Sequence, residues 1–261
     1  MKSILLAILA AALPLRPPHK AMVTTPTARD YVQDGLVAMW IGTENAGWGV
    51  CDTNAQTFVN LVGDGVYDLH LTDGTTWEDG GLVLREGMYA ATNSTPIPYL
   101  QIVTLECVFR VDPISVARSR YNFFGAGSYY WNERYNLAMR AFAWDNDPNA
   151  HPARQGWMVG CITDTSVRGD RPPTGIHALT AIYSQSPSQD ASTAPVALYK
   201  NGQPHAASWT VGGNAPSSLL FVGHSSTFPG RFFVGRAYNR PLSPAEIWWN
   251  HMIDRAIFGV E

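Results

Sequence analysis

Charge is scarce in this chain. Asp, Glu, Lys and Arg make up 15% of its 261 residues, and the formal balance is only −3. No tract of Lys or Arg occurs, so the electrostatic footprint of a nucleic-acid binder is missing. Cysteine is rarer still. Cys51, Cys107 and Cys161 do not make a disulfide framework. No apolar run reaches bilayer length: Ile4 to Leu13 falls well short of the roughly 20 residues a spanning helix requires, which excludes a transmembrane segment. Before residue 243 there is no long helical periodicity and no fixed-period repeat, which argues against a bundle or a solenoid.

What is plentiful is aromatic residues and turn formers. Aromatics reach 11%, with 23 Gly and 18 Pro, the profile of a loop-rich β protein. A chain this long can bury a large core without staples, and all-β sandwiches of this size are commonly one domain. About a dozen short extended runs follow one another. Among them are 36–40, 81–84, 101–111, 121–127, 135–143, 156–163, 176–184, 219–223 and 231–238. Asn201-Gly202 between two such runs is a strong hairpin signal. In the run at 103–111, Val103, Leu105, Cys107, Phe109 and Val111 alternate with Thr104, Glu106 and Arg110. The alternation predicts Cys107 on the buried face as a small hydrophobe and Glu106 as a solvated strand residue beside Arg110. The expected fold is all-β, an antiparallel jelly-roll β-sandwich with a short C-terminal helix.

The closing helix has the clearest start signal. Ser243 is placed as N-cap, Pro244 at the first helical position and Glu246 three residues on, a capping box. Ala245, Trp248, Trp249, Met252, Ile253 and Ala256 form an apolar stripe at helical spacing, predicted to face the sheet. At the other end, residues 1–33 read as an apolar leader followed by a Pro/Thr-rich linker, with residues 34–261 as the domain. Met1–Leu13 has the order of a signal peptide: one basic residue, an apolar run, then small residues. The alternative is that residues 1–20 dock the protein on a larger assembly.

Several segments together resemble the concanavalin A-like (laminin G-like) jelly-roll domains of lectins and glucanases. Gly35–Trp40 is similar to their opening strand, and Leu198–Gly202 to their Asn-Gly hairpin. Leu220–Gly223 is similar to a penultimate strand ending in glycine, and Arg236–Ile247 to a closing strand and capped helix. The order and spacing agree over roughly residues 35–258. The resemblance implies fold more than function, because lectins, glycosidases, lyases and adhesive modules share it. It implies a cell-surface, extracellular or virion setting.

The search for chemistry starts from carboxylates. The glucanases that the chain resembles carry Glu-x-Asp-x-Glu, whose period of two sets the acids on one strand face. None of the seven glutamates here (44, 78, 86, 106, 133, 246, 261) begins that pattern. His177 and Tyr183 share a strand, but without the Gln-x-His of the related lyases; His177 reads as a structural histidine. There is no nucleophile elbow, Walker loop or dinucleotide fingerprint, and no zinc-ligand spacing. Asp73-Gly74 reads as an ordinary turn rather than the Asp-box of sialidases, whose spacing differs. The expectation is therefore a chain that is not an enzyme.

Binding chemistry is better represented. Tyr129, Tyr130 and Trp131 form one aromatic cluster, and Trp144, Asp145 and Asn146 follow the next strand. Aromatic faces stack on sugar rings, and neighbouring carboxylates and amides fix hydroxyls, so these six residues are the candidate ligand surface. Asp145-Asn146-Asp147-Pro148-Asn149 offers alternating oxygens that Ca²⁺ accepts, although the EF-hand glycine and distal glutamate are missing. No cofactor is expected apart from that cation. The expected function is a non-catalytic module that recognises glycan or a surface protein. The alternatives are a structural or decorating protein of a phage or surface assembly, and a divergent glycan hydrolase or lyase.

Overall fold

The computed structural model describes residues 26–63, 65–85, 89–92, 104–112, 119–126, 137–143, 156–160, 174–183, 194–210, 220–223 and 229–261. In chain order the strands are β1 (Leu36–Ile41), β2 (Thr57–Phe58), β3 (Leu69–Leu71), β4 (Trp77–Glu78) and β5 (Gly81–Leu84). Then come β6 (Tyr89–Ala91), β7 (Thr104–Val111), β8 (Ser119–Ala126), β9 (Leu137–Ala143) and β10 (Gly156–Gly160). The series closes with β11 (Gly175–Tyr183), β12 (Ala194–Lys200), β13 (Gln203–Thr210), β14 (Leu220–Gly223), β15 (Gly230–Tyr238) and helix α1 (Pro244–Phe258).

The strands form two antiparallel sheets, an all-β sandwich with one C-terminal helix. The first sheet runs β13-β12-β11-β7-β15-β5-β4, and the second β10-β9-β8-β14-β6-β3-β2. β15 is the axis of the first sheet. One of its edges pairs with β7 along its length. The other edge pairs with β5 at Gly230–Phe232 and then with β1 from Val234 to Tyr238. The two ends of the domain therefore meet in neighbouring strands, as the resemblance implies. β2, β4 and β6 are strands of two or three residues that fall below the length at which alternation is readable.

The Asn-Gly hairpin forms as expected, with Asn201 at φ 49° and Gly202 at φ 71°, the backbone that a tight primed turn demands. Asn201 does more than turn. Its side-chain oxygen accepts from Ala178 N, its own N–H donates to Ala178 O, and its amide donates to Glu261 O. A Cβ on Gly202 would lie 2.8 Å from the His251 ring on α1. The hairpin tip is thus packed directly under the helix.

The first sheet is covered on both faces, and this is the main departure from the alternation argument. On its inner face, Trp40, Leu105, Cys107, Phe109, Leu179 and Phe232 pack against Phe58, Phe124 and Val222 of the second sheet. Trp40 and Phe124 meet edge to face at 5.9 Å, and the indole donates to Tyr67 O at 3.0 Å. Burying each such ring contributes roughly 1.5–3 kcal/mol. On its outer face, Met39, Val108, Ile182, Val234 and Tyr238 pack against Ile247, Ile253 and the N-terminal residues Ala28 and Tyr31. Cys107 is buried as expected, and desolvation pushes its thiol well above the ordinary range.

Three expectations are corrected here. Glu106 is not solvated: it is 1% exposed, because α1 covers the face that alternation assigns to solvent. Of the predicted stripe the helix fully buries only Ile253. Its buried residues are Ile247, Asn250, His251, Ile253 and Asp254, spaced 3, 1, 2 and 1. Trp248, Trp249 and Met252 are only half-buried and Ala256 is exposed. Asn250 and Asp254 share the buried face with Ile247 and Ile253 because the sheet beneath presents Arg236 and Glu106. Finally, residues 28–31 do not lie in a free linker. Ala28 and Tyr31 are each 2% exposed, in and beside a short 3-10 turn (Ala28–Asp30) capped by Thr27.

Candidate functional site

Tyr129, Tyr130, Trp131, Trp144, Asp145 and Asn146 lie outside the described residues, as does the rest of the 145–149 oxygen-rich tract. The strands that flank them are described. β8 and β9 are antiparallel, with Ser119 opposite Ala143 and Ala126 opposite Leu137. Segment 127–136 therefore joins the Ala126–Leu137 end of the pair, while the chain leaves for residue 144 from the Ala143–Ser119 end. These attachment points stand about 20 Å apart along β9 at strand rise. The two halves of the expected surface are tethered to opposite ends of the same hairpin.

A densely bonded polar cluster lies under α1. Arg236 of β15 is 1% exposed, and its Nη1 and Nη2 each donate at 2.8 Å to the two oxygens of Asp254 on α1. Its Nε donates at 2.9 Å to Glu106 Oε2 on β7. The remaining Glu106 oxygen accepts from Thr180 at 3.0 Å, and Oε2 also accepts from Asn250 Nδ2 at 2.7 Å. Tyr31 donates its hydroxyl to Asp254 at 2.8 Å while its ring lies 4.1 Å from the guanidinium carbon. Asn250 closes the set by donating to Tyr238 and accepting from Val32 N at 2.9 Å. The cluster joins the N-terminal turn, two central strands and the helix.

Its electrostatics follow from burial. Desolvation raises the Glu106 carboxyl, against the pull of Arg236. Burial weakens the guanidinium of Arg236, but Asp254 and Glu106 outweigh it and hold the group well above its ordinary range. Desolvation, reinforced by Asp254, pushes the Tyr31 phenol well up. Two carboxylates, a guanidinium and a phenol are groups from which catalysis is commonly built. Here each is consumed by its neighbours and shielded from solvent, so the cluster clamps the helix to the sheet. The sequence signal for it was weak: Glu106 shares its strand with Thr104 and Arg110, and Arg236 shares its strand with Arg231.

At the surface, Trp48, Val50 and Val66 are the exposed large apolar residues among those described, at 40%, 51% and 51%. Trp48 stands between Gly47 and Gly49 after a second 3-10 turn (Gly42–Glu44), and Arg29 lies over its ring at 5.1 Å. Among the described residues no His/Cys/Asp/Glu group of three or more can hold a metal ion. No helix among them is long and apolar enough to cross a membrane.

No family model matches the chain, and no curated protein matches it either. Solved structures do match in fold. A sialidase from Trypanosoma rangeli in complex with 2,3-difluoro-KDN aligns with a TM-score of 0.60 at 17% identity, over 96% of this chain and 37% of that one. The same sialidase with 2,3-difluorosialic acid gives 0.58 at 15%, over 95% and 36%. The receptor-binding domain of botulinum neurotoxin type G gives 0.52 at 10%, over 85% and 52%. At these identities the likeness is one of fold, an all-β sandwich. This chain spans little more than a third of the sialidases' length.

One expectation is overturned by that comparison. The chain was expected not to be an enzyme, and the fold it matches occurs within sialidases, which are enzymes. The physical flaw is in the test. A period-two acid pair on one strand is a single catalytic arrangement. Glu106 and Asp254, separated by most of the chain, share one guanidinium here, so spacing in sequence does not exclude carboxylates that meet in space.

Proposed function

We propose that this chain is a glycan-recognising β-sandwich of the concanavalin A-like (laminin G-like) type, working at a cell surface, outside the cell or on a virion. The observation that carries the reading is the two-sheet scaffold, aligned over 96% of its length with a sialidase in complex with a sialic-acid-type sugar. The same scaffold aligns with a toxin domain named for receptor binding. This is a fold-level warrant, joined to aromatic clusters of the sort that stack on sugars.

In this reading Tyr129, Tyr130 and Trp131 supply a stacking platform at one end of the β8–β9 hairpin. Trp144, Asp145 and Asn146 supply a separate contact at the other, where Ca²⁺ could join the oxygens of 145–149. Residues 1–25 act as the apolar leader and linker to a domain into which Ala28 and Tyr31 are already packed, and residues 1–20 dock on an assembly if they are retained.

A broad glycan array probed with the full chain, with and without calcium, tests this. The expected result is retention on a defined glycan class, weakened at least tenfold by Trp131→Ala. Retention on no glycan would overturn it. Retention indifferent to Trp131→Ala and Trp144→Ala would move the contact elsewhere.

A further inference from the structure

Trp48 is exposed on a loop that is built to hold still. Gly47 N–H donates to Glu44 O at 3.1 Å, Val50 N–H to Gly47 O at 2.9 Å and Ala46 N–H to Val50 O at 3.2 Å. Glu44 Oε2 accepts from Gly49 N at 2.8 Å. The buried Asn45 side chain grips Asp52 from both sides, donating to its carbonyl at 2.7 Å and accepting from its N–H at 2.8 Å. Gly47 (φ 126°) and Gly49 (φ 68°) adopt backbone that glycine enters at no steric cost. An indole mounted this way loses little conformational entropy on contact, which is what a pre-organised binding surface needs.

The charges around the loop are unequal in availability. Asp30 caps its own turn, with Oδ2 accepting from Thr27 N at 2.7 Å. Glu44 is engaged by Gly49, and Asp52 Oδ1 accepts from Asn54 N at 2.8 Å. Each acid is committed to a backbone N–H. Arg29 is exposed, makes no ion pair among the described residues, and lies 5.1 Å from the Trp48 ring centre. An aromatic plate beside a guanidinium with no ion pair among the described residues pairs two chemistries: the C–H face of a pyranose stacks on the indole, and a carboxylate takes the guanidinium fork.

We infer that Trp48 and Arg29 form a contact site for a carboxylated sugar. The inference rests on the glycan-recognition reading and names a location and a ligand class for it. Trp48 supplies the affinity common to any ring of suitable face, and Arg29 supplies the preference for the acid.

The test is titration calorimetry or saturation-transfer NMR with the full chain. It uses two carboxylated probes, a sialylated oligosaccharide and a uronic-acid oligosaccharide, each beside its carboxyl-reduced counterpart. The wild-type chain should bind one acid probe more tightly than its reduced form, and the arm that binds identifies the source. Trp48→Ala should weaken binding at least tenfold and Trp48→Phe should largely retain it. Arg29→Gln should abolish the preference for acid over reduced sugar while leaving the reduced sugar unchanged. Binding of an acid probe unaltered by Trp48→Ala and Arg29→Gln overturns this site and leaves glycan recognition standing. Binding of neutral glycans alone overturns the carboxylate requirement, again leaving recognition standing. Binding of none of these four probes overturns this site, while retention of some other glycan on the array would leave recognition standing. If Trp48→Ala fails to fold, Trp48→Phe and Arg29→Gln with the reduced sugars decide the matter by the same criteria.

Discussion

Removing the guanidinium of Arg236 strands two carboxylates, Glu106 and Asp254, in a place without water. Arg236→Met is expected to cost about 3–5 kcal/mol, because the loss leaves buried charge uncompensated. Denaturant unfolding measures it, and a loss under about 1 kcal/mol would mean that the cluster is not a clamp. Replacing Arg236, Glu106 and Asp254 together by apolar residues should recover much of that loss. At the opposite extreme, Glu246 is held by Arg240 at a site where both side chains keep about a quarter to a third of their exposure. Hydrogen bonds from Arg240, and then from Ser243, lower its carboxyl from 4.5 to about 2. A depressed carboxyl contributes stability that is fully present above its unfolded value and lost as pH falls through the folded one. Between pH 5 and 2 the melting temperature of the native chain should therefore drop more steeply than that of Glu246→Gln. Parallel curves would contradict the assignment.

Helix α1 shows what local signals can and cannot tell. Its N-terminus forms as the residues imply: Ser243 Oγ accepts from Glu246 N, and Glu246 accepts from Ser243 N at 2.8 Å. Ser243→Ala should cost about 1 kcal/mol, read by denaturant melts; no change would deny Ser243 the cap. Its buried face was not legible, since hydrophobic period alone points to the tryptophans. The face is chosen by Arg236 and Glu106, which belong to strands far away in the chain. The same non-locality hid Glu106: alternation assigns a face to a residue, but not what covers that face. The Asn-Gly hairpin was readable because turn chemistry is local, whereas the pairing of β1 with β15 was implied by the resemblance and not by period. The candidate ligand residues were chosen from composition, and they lie outside the described residues.

For the whole molecule, the double coverage of the first sheet sets a gradient of stability. β7 and β15 are paired on both edges and buried on both faces, whereas β2 and β4 are two-residue strands at sheet edges. Amide hydrogen exchange should find the slowest protons on β7 and β15, exchanging only by global unfolding, and fast ones on β2 and β4. Uniform protection across both sheets would argue against this gradient.

The clamp also bears on mechanical load. Tyr31 is tied to Asp254, Val32 to Asn250, and the indole of Trp249 donates to Asp30 O at 2.8 Å. These contacts lie outboard of the β1–β15 pair on both ends of the chain. Tension applied through residues 26 and 261 reaches them before it reaches the sheet hydrogen bonds. The domain would then resist a pull first through a buried ionic latch and only afterwards through its strands. Force spectroscopy should show a first rupture that weakens in Arg236→Met while the later, strand-borne event keeps its strength; an unchanged first rupture would place the load elsewhere.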